Sequence, residues 1–200
     1  GELVWPDDPA YEVARQVYNQ RIDLRPSLLA RPRTNADVIT ALRWAREHDL
    51  ELAVRSSGHN YNGFGSSDGG VVIDLGLMRS VRVDPRSATG RIGGGTPGGD
   101  LVREGALFEL APSMGMLGVT GVGLMLGGGF GHLRNRAGWA ADNVVGADLV
   151  TADGRLVRVS TEEHPDLLWG LRGAGANFGV VTSLDVQLHS MPSAIVTGCM

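Results

Sequence analysis

Arg55-Ser-Ser-Gly-His-Asn-Tyr-Asn-Gly63, followed shortly by Asp68-Gly-Gly-Val-Val-Ile-Asp-Leu75, is the stretch on which the reading of the fold turns. Leu50–Arg55 before it is a short apolar run of strand type, and Val71–Leu75 after it reads as a buried strand. Between them, Ser56–Gly70 is polar and rich in glycine. Small residues let a backbone come close to a ligand, and hydroxyls with an arginine supply extra donors. Directly after a strand, such a loop suits a phosphate-bearing group. Upstream, Thr34 and Asp37 are spaced as a capping box, and Val38, Ala41, Leu42 and Ala45 recur at helical spacing to about His48. A helix running straight into a strand is the first half of an α/β unit. Gly1–Arg25 carries little periodic signal beyond a short helix around Tyr11–Asn19.

Downstream the pattern changes. Val81–Asp84 reads as a strand, Pro85–Gly90 as a turn, Arg91-Ile92 as a brief strand and Gly98–Leu110 as a helix. Val144–Thr151 and Leu156–Ser160 flank Ala152-Asp-Gly-Arg155, a strong hairpin signal. Pro165 opens a helix over Asp166–Leu171, and Val180–Leu188 is a last strand. Hairpins beside an α/β unit predict an α+β fold rather than a doubly wound sheet. No internal repeat or inter-domain linker is visible. The 42% hydrophobic content supports one sizeable core divided into two lobes.

Two further glycine runs, Gly118–Gly131 and Gly173–Gly179, accompany the loop at Arg55–Asn60. Any one alone is more simply a tight turn or a close helix–strand contact. Neither carries a dinucleotide fingerprint: Gly121 and Gly123 are followed by Gly127, and Gly173 and Gly175 by Gly179, each one residue too far. The net charge of -4 predicts neither nucleic acid nor an anionic membrane as partner. All 18 basic residues are arginine, which removes a phosphate-loop lysine and a Schiff-base lysine. The single cysteine, Cys199, excludes a disulfide framework. With no long apolar run, a soluble, cytoplasmic protein is expected. No Gly-x-Ser-x-Gly elbow is present, and Asp7-Asp8 and Glu162-Glu163 read as solvated charges rather than a glycosidase pair. Of the five histidines, His48 suits a helix C-terminus, His132 suits packing or a pocket wall, and His164 and His189 read as surface residues. His59 stands out only by its setting, between the presumptive phosphate loop and Asn60.

These residues together carry a family pattern. Arg55–Gly63 with Asp68–Leu75, Gly118–Gly131, Ala141-Asp-Asn-Val-Val145, Thr151-Ala-Asp-Gly154, Asp166-Leu-Leu-Trp169 and Gly173–Thr182 resemble, in order, the FAD domain of the vanillyl-alcohol oxidase / p-cresol methylhydroxylase superfamily. The closest sub-pattern is the berberine-bridge-enzyme-like branch, and the resemblance runs from about Leu24 to Met191. It implies a two-lobed α+β FAD-binding domain of the p-cresol methylhydroxylase type over 24–191, an N-terminal segment at 1–23, and at 192–200 the start of a connection to a substrate domain. Ser56, Ser57, Gly58 and Asn60 would hold the FAD pyrophosphate, with Arg55 opening the loop and Gly63 closing it. His59 matches the histidine that bonds covalently to the flavin 8α-methyl group, a role suited to a neutral imidazole. Val119, Thr120, Gly121, Gly123, Leu124 and Gly128 would run along the flavin and ribityl chain. Asn143, Val144, Gly179 and Val181 would contact the flavin or the adenosine half. Bicovalent members carry a cysteine before the glycine run, where this chain has Met116-Leu117, so attachment is expected through His59 alone.

The function implied is the FAD-binding half of an oxidase that passes a hydride from a small-molecule substrate to flavin N5, with molecular oxygen as acceptor. The competing reading is a flavin-binding module without turnover. A nicotinamide-binding domain is disfavoured by the missing fingerprint. No catalytic base and no metal site are assigned.

Overall fold

Thr34 starts its helix as the spacing predicts. Its hydroxyl accepts the N–H of Asp37 at 3.2 Å, and the Asp37 carboxylate accepts the N–H of Thr34 at 3.1 Å. The helix this begins, α2 (Asn35–Glu47), follows a short α1 (Tyr11–Ala14) and buries Val38, Leu42 and Ala45. Full burial of Val38 or Leu42 contributes roughly 1.5–3 kcal/mol each. The computed structural model describes residues 1–191, so the expected connection at 192–200 lies outside the described residues.

Strands β1 (Glu2–Val4), β2 (Leu28–Arg31), β3 (Leu52–Arg55) and β4 (Val71–Asp74) form one sheet in the order β1-β2-β4-β3. The β2, β3 and β4 strands are parallel, which explains the unbroken apolar run Val71-Val-Ile73: both faces of β4 are covered. A second sheet is antiparallel. It is built from β5 (Val81–Asp84), β6 (Thr89–Gly93), β7 (Leu110–Pro112), β8 (Val144–Val150), β9 (Leu156–Ser160) and β10 (Val180–Ser190), in the order β5-β6-β10-β8-β9 with β7 on the far end of β10. One face packs against α3 (Gly98–Ala106), α4 (Val122–Leu126) and α6 (Pro165–Ala174) through a core that includes Ile92, Leu101, Met125, Leu149, Leu171 and Leu184. A short α5 (Arg134–Ala137) lies beyond α4. The opposite face carries Arg91, Asp148, Arg158 and Asp185, which pair across four strands; Arg91 reaches Asp185 at 2.9 Å. The alternation along β10 follows from this one wet and one dry face.

The lobes share a core. Val38, Leu42 and Ile73 of the first pack with Val150 and Val180 of the second. They also cross at backbone distance. A Cβ on Gly95 would sit 1.8 Å from the Leu75 carbonyl oxygen, so only glycine fits there.

Several expectations need correcting. The helix expected over Gly98–Leu110 ends at Ala106: Glu109 takes a left-handed conformation (φ 56°), and Leu110 turns into β7 against β10. The helix around Tyr11–Asn19 is only Tyr11–Ala14. Strands β1 and β2 went unread because they are short, and Pro26 and Pro32 bracket the second. Helix α6 runs past Leu171 to Ala174 through a break at Arg172 and Gly173. His189 is not a free surface residue, since its Nε2 lies 2.6 Å from Asn143 Oδ1.

Candidate cofactor site

The loop after β3 is held from behind. Arg55 is buried, and its guanidinium donates to Asp74 at 3.0 Å, to Ala14 O at 2.6 Å and to the carbonyls of Arg15 and Gln16 at 3.3 Å each. A buried cation paired and bonded in this way is scaffold, so the side chain of Arg55 is not available to a ligand. Ser56 Oγ donates to Gly94 O at 2.6 Å, tying the loop to the other lobe. Gly58 has φ +71°, a left-handed turn that aims its carbonyl at the N–H of Tyr18, 3.0 Å away. Asn60 Oδ1 accepts from the N–H of Asn62 and of Phe64, closing the next turn, and Gly63 lies against Ile22.

His59 is half-buried. Its Nδ1 lies 2.8 Å from Ser57 O, and its ring stacks on Tyr18 with centroids 4.8 Å apart and an interplanar angle of 24°. A carbonyl can only accept, so in the neutral ring Nδ1 carries the proton and Nε2 the lone pair.

Ser56, Ser57 and His59 form one wall of a cleft of about 640 Å³ between the lobes, faced by Pro97 and Gly99 and by Gly118 and Val119. That volume is in the range of cofactor sites, roughly 300–1,000 Å³. The N–H groups of Ser57, Gly58 and His59 donate to no acceptor among the described residues. A row of free N–H groups at a glycine turn is a cradle for a phosphate. At the mouth, Asp100 is paired with Arg79 and Arg103. The hydrogen bond from Arg79 is the main reason its carboxyl is held below the usual carboxylate range, and Arg103 adds to it.

The structure thus gathers Ser56, Ser57, His59 and Val119 around one cleft. Other candidates sit differently. Thr120 and Gly121 join the α3 turn behind it: Gly98 N–H donates to Thr120 O at 2.7 Å, and Gly121 bridges to Pro97. Gly123 and Leu124 lie on α4, Gly123 with open space beside it, and Gly128 adopts φ +118°. Asn143 is buried, its amide donating to Ala137 O and Trp139 O at 2.7 Å each, so its side chain is fully engaged within the second lobe. Val144 and Val181 are buried in the same core, and Gly179 crosses close to Val150 O. Sequence reasoning missed a fourth glycine run, Gly93-Gly-Gly-Thr-Pro-Gly-Gly99, which supplies the wall opposite the loop. The signal was there, in glycines as dense as those of the runs that were read.

Comparison with known proteins now bears on this geometry. The family model for the FAD binding domain matches residues 26–160. The chain belongs to that family. (R)-6-hydroxynicotine oxidase from Paenarthrobacter nicotinovorans is 46% identical over 199 residues, covering 99% of this FAD-binding domain and 43% of the relative. The solved 6-hydroxy-D-nicotine oxidase from Arthrobacter nicotinovorans superposes with a TM-score of 0.94 at 47% identity, over 96% of this chain and 43% of its own. Glucooligosaccharide oxidase from Acremonium strictum, described with a 6-S-cysteinyl, 8α-N1-histidyl FAD, superposes at 0.90 with 31% identity, over 96% of this chain and 41% of its own. These likenesses establish the expected two-lobed α+β fold of the p-cresol methylhydroxylase type. This FAD-binding domain spans less than half the length of the relatives it matches.

Proposed function

We propose that this chain is the cofactor-holding part of a flavin-dependent oxidase for a small-molecule substrate, with FAD laid across the cleft between the lobes and covalently carried by His59 alone. The observation that carries the reading is the loop Ser57–His59: three N–H groups with no acceptor among the described residues, beside an imidazole held at the cleft wall. Bound FAD would supply the redox chemistry, as hydride acceptor for the substrate with molecular oxygen as the final acceptor. The protein's part is to bind and orient. Ser57, Gly58 and His59 offer backbone donors to the pyrophosphate, and Ser56 locks that loop to Gly94. Val119, Gly121, Gly123 and Leu124 would run beside the flavin and ribityl chain. The buried Asn143, Val144 and Val181 would support the flavin or the adenosine half through backbone and packing rather than through free side chains.

Attachment through His59 alone rests on Met116-Leu117 standing before the glycine run, and on the absence of any cysteine other than Cys199. Met116, Leu117, Val119, Phe130 and Trp139 are all exposed large apolar residues. That open apolar wall favours a second reading for the chain by itself: it binds FAD and turns over no substrate.

The deciding experiment is a visible spectrum of the purified chain before and after acid precipitation. Yellow colour that stays in the pellet, and is lost from it in His59→Ala, supports covalent attachment at His59. Colour released to the supernatant refutes the bond while leaving FAD binding intact. A chain that stays colourless after incubation with FAD overturns the whole reading.

A further inference from the structure

Residues 11–22 lie before the part of the chain that the FAD-binding family model matches, which begins at residue 26. Yet they form the backing of the loop that carries His59. Ala14, Arg15 and Gln16 give their carbonyls to Arg55, the N–H of Tyr18 bonds Gly58 O, and Asn19 Nδ2 donates to Tyr61 O at 2.9 Å. Ile22 packs on Gly63. Every turn of the loop from Arg55 to Gly63 is therefore met by this segment.

From these contacts we infer that the N-terminal segment is part of the cofactor site and that Tyr18 is a positioning residue for His59. The inference rests on the reading of His59 as the attachment residue. An imidazole on a surface loop turns freely about two side-chain torsions unless something stops it. Two contacts stop this one: Ser57 O holds Nδ1 in the ring plane, and the Tyr18 ring covers one face at 4.8 Å. Tyr18 is not among the residues lining the cleft, so it covers the imidazole from outside the cleft. Offset ring stacking of this kind orients as well as attracts. A held ring meets its reaction partner far more often in the productive orientation, which is the general advantage of pre-positioned groups.

The backbone N–H of Tyr18, not its side chain, bonds Gly58, and the side chain is 66% exposed. Tyr18→Ala therefore removes the stack while leaving the loop's backbone bond and the core untouched. The test compares wild type, Tyr18→Ala, Tyr18→Phe and His59→Ala by two readouts: the rate at which added FAD becomes acid-stable on the protein, set against total bound FAD, and the imidazole nitrogen NMR spectrum of His59 in the flavin-free chain. In Tyr18→Ala the acid-stable rate should fall on the order of tenfold, with total bound FAD near the wild-type level. Its His59 nitrogen signals should shift and broaden as the uncovered ring samples more than one orientation. Tyr18→Phe, which keeps the ring, should restore both. Wild-type attachment and an unchanged His59 spectrum in Tyr18→Ala would overturn the inference, whatever His59→Ala does. If wild type forms no acid-stable flavin, the attachment reading fails separately, and the nitrogen spectrum alone decides whether Tyr18 holds the ring.

Discussion

The two walls of the cleft are finished to different degrees. The wall from Arg55 to Gly63 is fastened by a buried ion pair, carbonyl contacts from residues 14–16, a tie from Ser56 to Gly94 and a stacked tyrosine. On the other side Gly118 and Val119 reach the cleft beside Pro97 and Gly99, and the segment that carries them shows Met116, Leu117, Val119, Phe130 and Trp139 to solvent. Polar fastening fixes the first wall in place without help. The run of exposed apolar side chains on the second is a surface suited to cover by cofactor or further protein.

The sharpest way to break this contrast is Arg55→Met. It leaves Asp74 with only Arg31, at 3.4 Å, and the N–H of Gly76, and three carbonyls of residues 14–16 without their donor, which should lower unfolding free energy by about 3 kcal/mol in chemical denaturation. Arg55→Lys should recover only part, because an ammonium cannot reproduce the planar fork. If Arg55→Met unfolds like wild type, the first wall is not held as described. Gly95→Ala comes next. The new methyl would meet backbone, not a side chain that can turn away, since Leu75 O lies 1.8 Å from the built Cβ. A loss of about 3 kcal/mol, read the same way, is expected.

How much of this was legible follows from what each residue does. The capping box at Thr34, the hairpin at Asp153-Gly154 and the run Val71-Val-Ile73 are local patterns, and each landed where its pattern pointed. The loop at Ser56–Asn60 was legible as a lining of the cleft because small polar residues after a strand leave its backbone open. The roles of Arg55 and Asn143 were not. Both look like ligand contacts by position, and both are turned inward to carbonyls tens of residues away or around a tight loop, which only the folded chain can show. The N-terminal segment carried little periodic signal because many of its contacts use backbone N–H and C=O groups, which are the same in every sequence.

At the cleft mouth, Asp100 gives a smaller and pH-dependent effect. Its carboxyl is held below the ordinary range, chiefly by Arg79, so its contribution is fully present above the unfolded value near 4 and disappears as pH falls through the lower folded value. Arg79 is half exposed, so about 0.5–1 kcal/mol is expected. Unfolding curves of wild type and Asp100→Asn should differ by that amount at pH 6 and converge at acid pH, near pH 3 or below. A constant gap across this range would mean that Asp100 acts through packing rather than through charge.

The smallest effect separates glycines that the fold needs from glycines that face the cofactor. Gly123 sits in α4 with an ordinary backbone conformation, and a Cβ built on it meets nothing within 4 Å. Alanine there removes chain entropy from the unfolded state and suits a helix, so Gly123→Ala should stabilise the flavin-free chain by about 0.5 kcal/mol. The same methyl would project into the space assigned to the flavin and ribityl chain, so FAD affinity, followed by quenching of flavin fluorescence, should fall. Gly95→Ala would lower stability and FAD affinity together, because its methyl strains the fold itself. A Gly123→Ala chain that gains stability and binds FAD as wild type does would move the cofactor's path away from α4, and with it the whole assignment of the second wall.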